Sequence, residues 1–259
     1  FYSNGKLLLS GEYLVLDGAV ALSVPTKYGQ SMEVNASKID GIHWRSLDDS
    51  ATIWFENSFS FKELNSPKKV SETTNSIKDT LLKILREAKK LNPNFLDESN
   101  GWNVTTQLHF PQNWGLGSSS TLINNIAQWA KINAFELLEK SFGGSGYDIA
   151  AAQNNSPILY KRKDSVPIVE AVKINWNFTD QLFFIHLNQK QNSKEGIAHY
   201  RKTFISAIDL NKISAIAHSL LACETLSIFE ALIDEHELII SKIIQTPTIK
   251  AQLFSDYPW

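Results

Sequence analysis

The sequence predicts an α+β fold built from two domains. Short runs in which apolar and polar residues alternate come first, as in strands, and a stretch with helical spacing of apolar residues follows. A further alternating run, Trp102 to Phe110, leads directly into a glycine-containing loop and a second helix-like run. The chain has 259 residues, 43% of them hydrophobic, so it can bury one large core or two modest ones, and we favour two.

The charge balance favours a small molecule as the binding partner. Lys and Arg number 25 and Asp and Glu number 27, which gives a formal net charge of -2. Proteins that bind nucleic acid or an anionic membrane surface usually carry a basic excess. We therefore expect a small-molecule partner, no nucleic acid and no membrane, and the composition leaves the oligomeric state open.

Cysteine usage and hydropathy predict a cytoplasmic protein. The one cysteine, Cys223, cannot form an intrachain disulfide and suits a reducing compartment. No segment approaches the roughly 20 apolar residues that span a bilayer, and we expect no charged-then-apolar leader at Phe1. Because Phe1 is not a methionine, we expect a few residues to be missing from this end.

The N-terminal segment contains two apolar runs. Leu7–Leu9 and Tyr13–Leu16 are separated by Ser10-Gly11-Glu12, which predicts a strand, a tight bend and a second strand. Lys6 and Glu12 are charges in a pattern that otherwise looks buried, and such charges are tolerated when they are paired or line a site. An edge-strand lysine and a solvated loop glutamate are an equal alternative.

The next region predicts an antiparallel sheet followed by a helix. Strand-like runs are separated by polar turns, and apolar residues then recur with helical spacing from Ser71 to Leu91, with Ser71 or Thr73 as the N-cap. The strand-like runs are Ser31–Val34, Gly41–Trp44 and Ala51–Phe55.

The loop after Phe110 has the features of an anion-binding site. Gly115 and Gly117 allow backbone angles that other residues avoid, three serines follow, and a helix-like run, Leu122–Ala130, begins directly afterwards. The free N–H groups of such a segment attract anions without a basic side chain. A plain loop with a serine N-cap explains these residues equally well when they are taken alone. The spacing excludes a P-loop and a dinucleotide fingerprint.

A second glycine turn places one carboxylate at the start of a helix. Gly143-Gly-Ser-Gly146 is followed by Tyr147, Asp148 and an alanine run, Ala150–Ala152, that can pack closely against a neighbour. Asp148 would lie near the positive end of that helix. In isolation, an N-cap aspartate with no further role is the commoner explanation of such a residue.

In this order, the motifs resemble those of the GHMP small-molecule kinases, among which mevalonate kinase and phosphomevalonate kinase are most similar. The resemblance rests on Gly5-Lys-Leu-Leu-Leu-Ser-Gly-Glu-Tyr-Leu-Val-Leu-Asp-Gly18, Pro111-x-x-x-Gly-Leu-Gly-Ser-Ser-Ser120 and Ser145-Gly-Tyr-Asp-Ile-Ala150, and it covers Gly5 to about Tyr160. It implies a two-domain GHMP kinase-like fold. A ribosomal-protein-S5-like domain at 1–165 would bind ATP and carry catalysis, and an incomplete, ferredoxin-like α/β domain would occupy 166–259.

The resemblance also implies an ATP- and Mg2+-dependent transfer of the γ-phosphoryl group to a small acceptor. Asp148 falls on the family's catalytic aspartate, Lys6 on the lysine near it, and Ser119 on the magnesium-binding serine. Such a transfer mostly needs positioning and charge neutralisation. The residues expected to bind the ATP phosphates are Gly115, Leu116, Gly117, Ser118, Ser119 and Ser120, and those expected to bind the acceptor are Glu12, Tyr13, Ser145 and Gly146.

Two features of the family have no match in this sequence. The glutamate that acts as a second magnesium ligand has no counterpart in register, although Glu136 and Glu139 lie nearby, and we do not assign it. The third glycine-rich motif does not occur before Trp259, so we expect a truncated or partly ordered chain.

The last third of the chain predicts a strand and several helices. Gln181–Leu187 has the pattern of a strand, and the polar turn after it makes Lys190 and Ser193 weak acceptor-binding candidates, although solvated turn residues are the favoured interpretation. Three histidines lack a repeated metal-ligand spacing and are interpreted as surface or core residues. The helical patterns cover 194–208, 212–221, 227–244 and 248–254, and the histidines are His199, His218 and His236.

Three functions fit these motifs. The favoured one is a kinase that phosphorylates a hydroxyl or a phosphate of a small metabolite, with a slight preference for a mevalonate-pathway-like acceptor. The second is the related diphosphomevalonate decarboxylase, which also consumes ATP. The third is a nucleotide- or metabolite-binding protein that has this fold but no turnover.

Overall fold

The computed structural model describes residues 1–66, 76–98, 100–187 and 193–256. Contacts between residues divide the chain into two compact units. The first contains Phe1–Lys6 and Thr26–Gln153, and the second contains Leu7–Pro25 and the chain from Asn154 onward. The predicted boundaries, 1–165 and 166–259, instead assign residues 7–25 to the N-terminal domain. The S5-like and ferredoxin-like descriptions stay predictions.

Both units contain strands and helices, which confirms the predicted α+β class. The strands are β1 (Tyr2–Ser10), β2 (Ala21–Ser37), β3 (Ile42–Leu47), β4 (Ile53–Phe59), β5 (Gly101–Leu108), β6 (Ile158–Lys163) and β7 (Val166–Ala171). The α-helices are α1 (Phe61–Asn65), α2 (Ile77–Leu91), α3 (Ser118–Ala130), α4 (Ala134–Ser141), α5 (Tyr147–Gln153), α6 (Ser193–Tyr200), α7 (Ala207–Ala222), α8 (Leu226–Ile244) and α9 (Ile249–Leu253). No helix in the described ranges is long and apolar enough to cross a membrane.

The sheet of the first unit has the strand order β4-β3-β5-β2, and β1 pairs with β2. β3 is antiparallel to β4 and β5 is antiparallel to β2, but β3 and β5 are parallel, with Ile42 opposite Trp102 and Leu47 opposite Gln107. The antiparallel sheet predicted for residues 26–58 is therefore confirmed for β3 and β4, whereas β2 is separated from β3 by β5. β4, α1 and α2 lie between β3 and β5 in the sequence. This connection is long enough to cross over and bring the two strands into parallel pairing.

Helices α2, α3 and α4 cover this sheet. Trp44 and Val104 of the sheet belong to one buried cluster with Leu85 of α2, Ile126 of α3 and Leu137 of α4. This packing explains the helical spacing in the sequence, because burial of apolar area is the main favourable contribution to folding.

Helix α2 confirms the predicted helix but begins later than expected. Its N-cap is Ser76, whose hydroxyl accepts a hydrogen bond from Asp79 N at 3.1 Å. The predicted N-caps, Ser71 and Thr73, lie outside the described residues.

The predicted second strand at Tyr13–Leu16 is wrong. Residues Leu14–Asp17 form a 3-10 helix instead. Gly11 and Tyr13 have left-handed backbones, with φ values of 96° and 59°, and Val15 N donates to Gly11 O at 3.0 Å. The apolar run is therefore coiled rather than extended.

In the second unit, the start of β2 pairs antiparallel with β6, and β6 pairs antiparallel with β7. Leu22 of β2 packs in a buried cluster with Ile213 and Leu220 of α7 and with Ile240 of α8. The predicted helix over 194–208 is interrupted: α6 ends at Tyr200, and α7 begins after an N-cap at Ser206.

The predicted strand at Gln181–Leu187 is also wrong. Gln181 ends a short 3-10 helix, and residues 182–187 have no regular secondary structure. Of the two binding candidates that follow this segment, Lys190 lies outside the described residues. Ser193 is the first residue of α6, and its side chain also lies outside the description.

Candidate functional site

The glycine loop has the conformation that the sequence predicts. Gly115 and Gly117 are both left-handed, with φ values of 73° and 87°. A Cβ at Gly117 would lie 2.8 Å from Ser120 Oγ and 3.4 Å from Lys6 Cε, whereas a Cβ at Gly115 would meet no atom within 4 Å. Gly117 is therefore required for both its backbone angle and its lack of a side chain, and Gly115 for its backbone angle alone.

Helix α3 begins directly after this loop with no side-chain cap. Its N-cap is Gly117, and the first intrahelical bond of the turn joins Thr121 N to Gly117 O at 3.0 Å. The N–H groups of the first helical turn have no acceptor within a helix, and the helix dipole adds positive potential there. The loop can therefore receive a phosphate, as the sequence predicts, without a basic residue in the helix.

The three serines of the loop differ in what their hydroxyls do. The Ser120 hydroxyl is buried and donates to Gly117 O at 2.8 Å, so it stabilises the loop. Ser119 is exposed and Ser118 is half-buried, and their hydroxyls have no hydrogen-bond partner in the part of the chain that the structure describes. Leu116 is buried, and its carbonyl accepts from Lys6 N at 3.0 Å, which fixes the loop to β1.

The Lys6 side chain joins the loop to the start of α5. Its Nζ donates to Gly115 O at 3.2 Å and lies 5.6 Å from the centre of the Tyr147 ring. The salt bridges found among the described residues do not include a pair between Lys6 and Asp148. The structure therefore brings Lys6 to the loop and to the residue before the predicted catalytic aspartate.

Asp148 is the second residue of α5 and is half-buried. Its Oδ1 accepts from Ile149 N at 3.1 Å, and within the described ranges Oδ2 accepts no hydrogen bond. Gly146, with φ 88°, precedes the helix and its carbonyl accepts from Ala150 N, so Asp148 is not the N-cap. The half-buried Ser145 and the buried Gly146 form the turn just before this carboxylate.

The other two predicted acceptor-binding residues belong to the second unit. Glu12 is exposed. The Tyr13 ring stacks on the Tyr200 ring, with centroids 5.7 Å apart and planes 21° apart. Burial raises the pKa of the Tyr13 hydroxyl, and the Glu12 carboxylate adds to that rise.

Several residues that contact the connection between β1 and β2, residues 11–20, were not found by sequence reasoning. The Tyr200 hydroxyl donates to Asp17 Oδ2 at 2.5 Å, and Arg201 forms an ion pair with Asp17 at 2.9 Å. Burial and this hydrogen bond raise the pKa of Tyr200. His236, interpreted as a surface or core residue, is buried and accepts from Gly11 N at 3.0 Å. No local sequence pattern signals contacts between residues so far apart in the chain.

The fold defines a class: it is similar to the folds of solved mevalonate and phosphomevalonate kinases, so the predicted resemblance is confirmed at the level of the fold. The sequence matches no protein-family model, and no curated protein matches it. Similar solved structures include mevalonate kinase from Methanococcus jannaschii, with a TM-score of 0.65 and 14% identity over 94% of this chain and 78% of that one.

Two further solved structures represent other activities on this fold. Phosphomevalonate kinase from Streptococcus pneumoniae, in complex with phosphomevalonate and AMPPNP, has a TM-score of 0.65 and 15% identity over 94% of this chain and 80% of that one. A mevalonate diphosphate decarboxylase from Legionella pneumophila has a TM-score of 0.59 and 13% identity over 95% of this chain and 78% of that one. At these identities the likeness establishes the fold alone.

Proposed function

We propose that this chain is an ATP- and Mg2+-dependent kinase that transfers the γ-phosphoryl group to a hydroxyl or phosphate of a small metabolite, with a mevalonate-pathway-like acceptor as the first candidate. One observation carries the proposal. A single side chain, Lys6, contacts both the anion-binding loop and the residue beside Asp148. Phosphoryl transfer needs these parts close together: a phosphate cradle, a cation and a carboxylate.

The loop would bind the ATP phosphates through its backbone. The first-turn N–H groups of α3 have no side-chain cap and would donate to a bound phosphate. Ser120 keeps the loop closed through its bond to Gly117 O. Lys6 Nζ donates a hydrogen bond to the carbonyl oxygen of Gly115. A rotation of the side chain would let Nζ donate to a phosphate oxygen instead. The positive charge of Lys6 would then offset the charge that builds on the transferred group.

The loop also fits a magnesium ion that binds together with ATP. Mg2+ usually binds through one or two protein side chains and the phosphates of the nucleotide, so phosphate oxygens would be its main ligands. The exposed Ser119 hydroxyl, which has no other described partner, would complete that set. When bound, Mg2+ neutralises phosphate charge and orients the phosphates.

Asp148 would orient the acceptor and take its proton. An acceptor hydroxyl oxygen attacks the γ-phosphorus, the bond to the oxygen that bridges the β- and γ-phosphates breaks, and ADP leaves with that oxygen. The hydroxyl proton passes to Asp148 Oδ2, which accepts no hydrogen bond from a described residue. With a phosphate acceptor there is no proton to remove, and Asp148 would only position the attacking oxygen.

The test is ADP release with Mg-ATP across mevalonate, phosphomevalonate, homoserine and galactose. We expect one acceptor to stimulate release, and Asp148→Asn to abolish the stimulation while ATP still binds. Asp49→Asn, a change at an exposed carboxylate in the turn between β3 and β4, is the matched control and should leave turnover intact. ATP binding without acceptor-dependent release from any of these compounds would contradict the kinase proposal and favour a binding protein without turnover.

The decarboxylase is the second candidate, and the similar structure from Legionella pneumophila favours it. It differs from the kinase in one product, because carbon dioxide would leave together with ADP. Diphosphomevalonate belongs in the same acceptor panel, with the released gas measured alongside ADP. Equal amounts of carbon dioxide and ADP would establish the decarboxylase and exclude the kinase for that compound.

A further inference from the structure

The turn Gly11–Tyr13 is held by a side chain that lies far along the sequence. Gly11 N donates to His236 Nε2 at 3.0 Å, and both residues are buried. His236 lies on α8 and is 4% exposed. An N–H donor must meet a lone pair, so Nε2 carries no proton and Nδ1 carries the proton of the neutral ring.

The backbone of this turn is unfavourable at Tyr13, whereas Gly11 adopts its positive φ without strain. Gly11 has φ 96°, and a Cβ there would lie 2.6 Å from the Ala21 Cβ. Tyr13 has φ 59°, a conformation that residues with a Cβ seldom adopt. Such conformations persist only where the surroundings hold them.

A second contact fixes the other end of the same turn. The Tyr13 ring stacks on Tyr200 and lies against Gly196, where a Cβ would come within 2.6 Å of the Tyr13 hydroxyl oxygen. Helix α6 therefore holds the Tyr13 side chain, and α8 holds the Gly11 backbone. Of these two contacts, only the one to His236 depends on the protonation of its acceptor.

Among the described residues, His236 lies within ion-pair distance of Glu237 on its own helix, with Oε1 3.6 Å from Nδ1. On the connection after β1, Asp17 accepts a hydrogen bond from Tyr200 and forms an ion pair with Arg201, and Glu12 is exposed. On the helices that pack against α8, His199 of α6 and Lys212 and His218 of α7 are exposed, and Asp209 of α7 bonds to Ser206. The side chains of Lys194 and Glu195 on α6 lie outside the description.

We propose that His236 is a positioning residue: its neutral ring holds the Gly11–Tyr13 turn in the shape that presents Glu12 and Tyr13 to the acceptor, and protonation at Nε2 releases the turn. The role of Glu12 and Tyr13 rests on the proposed function. The effect of His236 on the turn does not depend on it. Acidification removes the lone pair of Nε2 that accepts the hydrogen bond from Gly11 N. Binding of the phosphoryl acceptor should therefore weaken as the pH falls, without a direct effect on the ATP loop.

Hydrogen exchange tests the structural half of this proposal. We would measure Gly11 amide exchange by NMR at about pH 7.5 and about pH 5.5, a range in which imidazoles change charge, and correct for intrinsic exchange. Protection in the wild type should fall about tenfold at the lower pH, as expected for one lost hydrogen bond. His236→Gln retains an acceptor that does not titrate and should show equal protection at both values. His199→Gln, at an exposed histidine, should behave as the wild type.

His236→Leu has no acceptor and should show low Gly11 protection at both pH values. If this variant does not fold, His236→Gln alone decides the question. Protection that is equal at both pH values in the wild type would overturn the proposal. Protection that still falls on acidification in His236→Gln would also overturn it.

Kinetics test the functional half, with whichever compound stimulates ADP release. The acceptor KM of the wild type should rise about tenfold on acidification, while the KM for ATP stays within about twofold, because misplaced binding groups weaken only the ligand that they touch. His236→Gln should show a flat acceptor KM. A pH effect on kcat with an unchanged acceptor KM would overturn the positioning role. If no compound stimulates release, the proposed function fails, and the exchange data still decide whether His236 holds the turn.

Discussion

Lys6 donates from Nζ to the carbonyl oxygen of Gly115 at 3.2 Å, and on the way its side chain passes over Gly117, with Cγ and Cε 3.4 Å from the position a Cβ would take. The methylene groups of Lys6 pack on Gly117, and the charged Nζ lies beside Gly115. Lys6→Met keeps the stem and removes the charge. We expect phosphoryl transfer to fall about 100-fold, because one preorganised donor to a developing charge contributes that much. Acceptor-dependent ADP release measures this effect.

Lys27→Met is the control for this substitution, because Lys27 is exposed on β2. It should leave turnover unchanged. The melting temperatures of both variants should stay close to that of the wild type, since the Lys6 hydrogen bond is exposed and its net contribution is small. Equal losses in the two variants would show that Lys6 acts through general charge only.

The two loop glycines provide a matched pair of substitutions. Gly115→Ala meets only the cost of a left-handed backbone, about 1 kcal/mol in the free energy of unfolding. Gly117→Ala should cost at least about 2 kcal/mol and abolish ATP binding, because its Cβ would also collide with Ser120 Oγ. Urea unfolding and ATP titration calorimetry measure the two effects. Equal destabilisation of the two variants would mean that the loop relaxes freely around residue 117.

The serines should separate binding from stability. Ser119→Ala should lower Mg2+-dependent turnover and leave the melting temperature unchanged, because its exposed hydroxyl has no described partner. Ser120→Ala should lower the free energy of unfolding by about 1 kcal/mol, since it removes the partly buried hydrogen bond to Gly117 O. The magnesium concentration that gives half-maximal turnover is the discriminating measurement. No change in it for Ser119→Ala would remove Ser119 from the proposed metal site.

Tyr200 makes the free energy of unfolding of the second unit depend on alkaline pH. Burial and the hydrogen bond to Asp17 raise the pKa of Tyr200 above its ordinary value of 10.0. Above about pH 10 the unfolded chain loses this proton while the folded chain keeps it, so the free energy of unfolding falls as the pH rises. Tyr200→Phe should show a smaller fall between about pH 8 and about pH 11 in urea titrations. Tyr28→Phe, at an exposed tyrosine, should retain the wild-type slope, and identical slopes for all three proteins would contradict the assignment.

Local patterns were enough to predict the parts of the fold that depend on local physics. The period of apolar residues predicted α2 and α3, and the glycines predicted the loop, because backbone freedom and helical spacing are properties of neighbouring residues. The same reasoning failed at Tyr13–Leu16. Four apolar residues in a row fit a strand and a buried 3-10 helix equally well, and two left-handed residues decided between them.

Contacts between distant residues could not be predicted from one sequence. Tyr200 and Asp17 are separated by 183 positions, and His236 and Gly11 by 225. Packing decides both contacts. The parallel pairing of β3 with β5 is of the same kind, because alternation reveals a strand but not the direction of its neighbour. The roles of Asp148, Lys6 and the loop residues stay predictions that the proposed experiments test.

The segment Leu182–Leu187 has a practical consequence for work with the purified protein. It is apolar, lies outside any strand, and leaves Phe183 83% and Ile185 62% exposed. Six-residue segments of high β-propensity and low charge nucleate aggregation when they are accessible. A formal net charge of -2 provides little electrostatic repulsion between molecules. We therefore expect these six residues, which belong to none of the motifs, to promote self-association in concentrated solution, and low protein concentration to limit it.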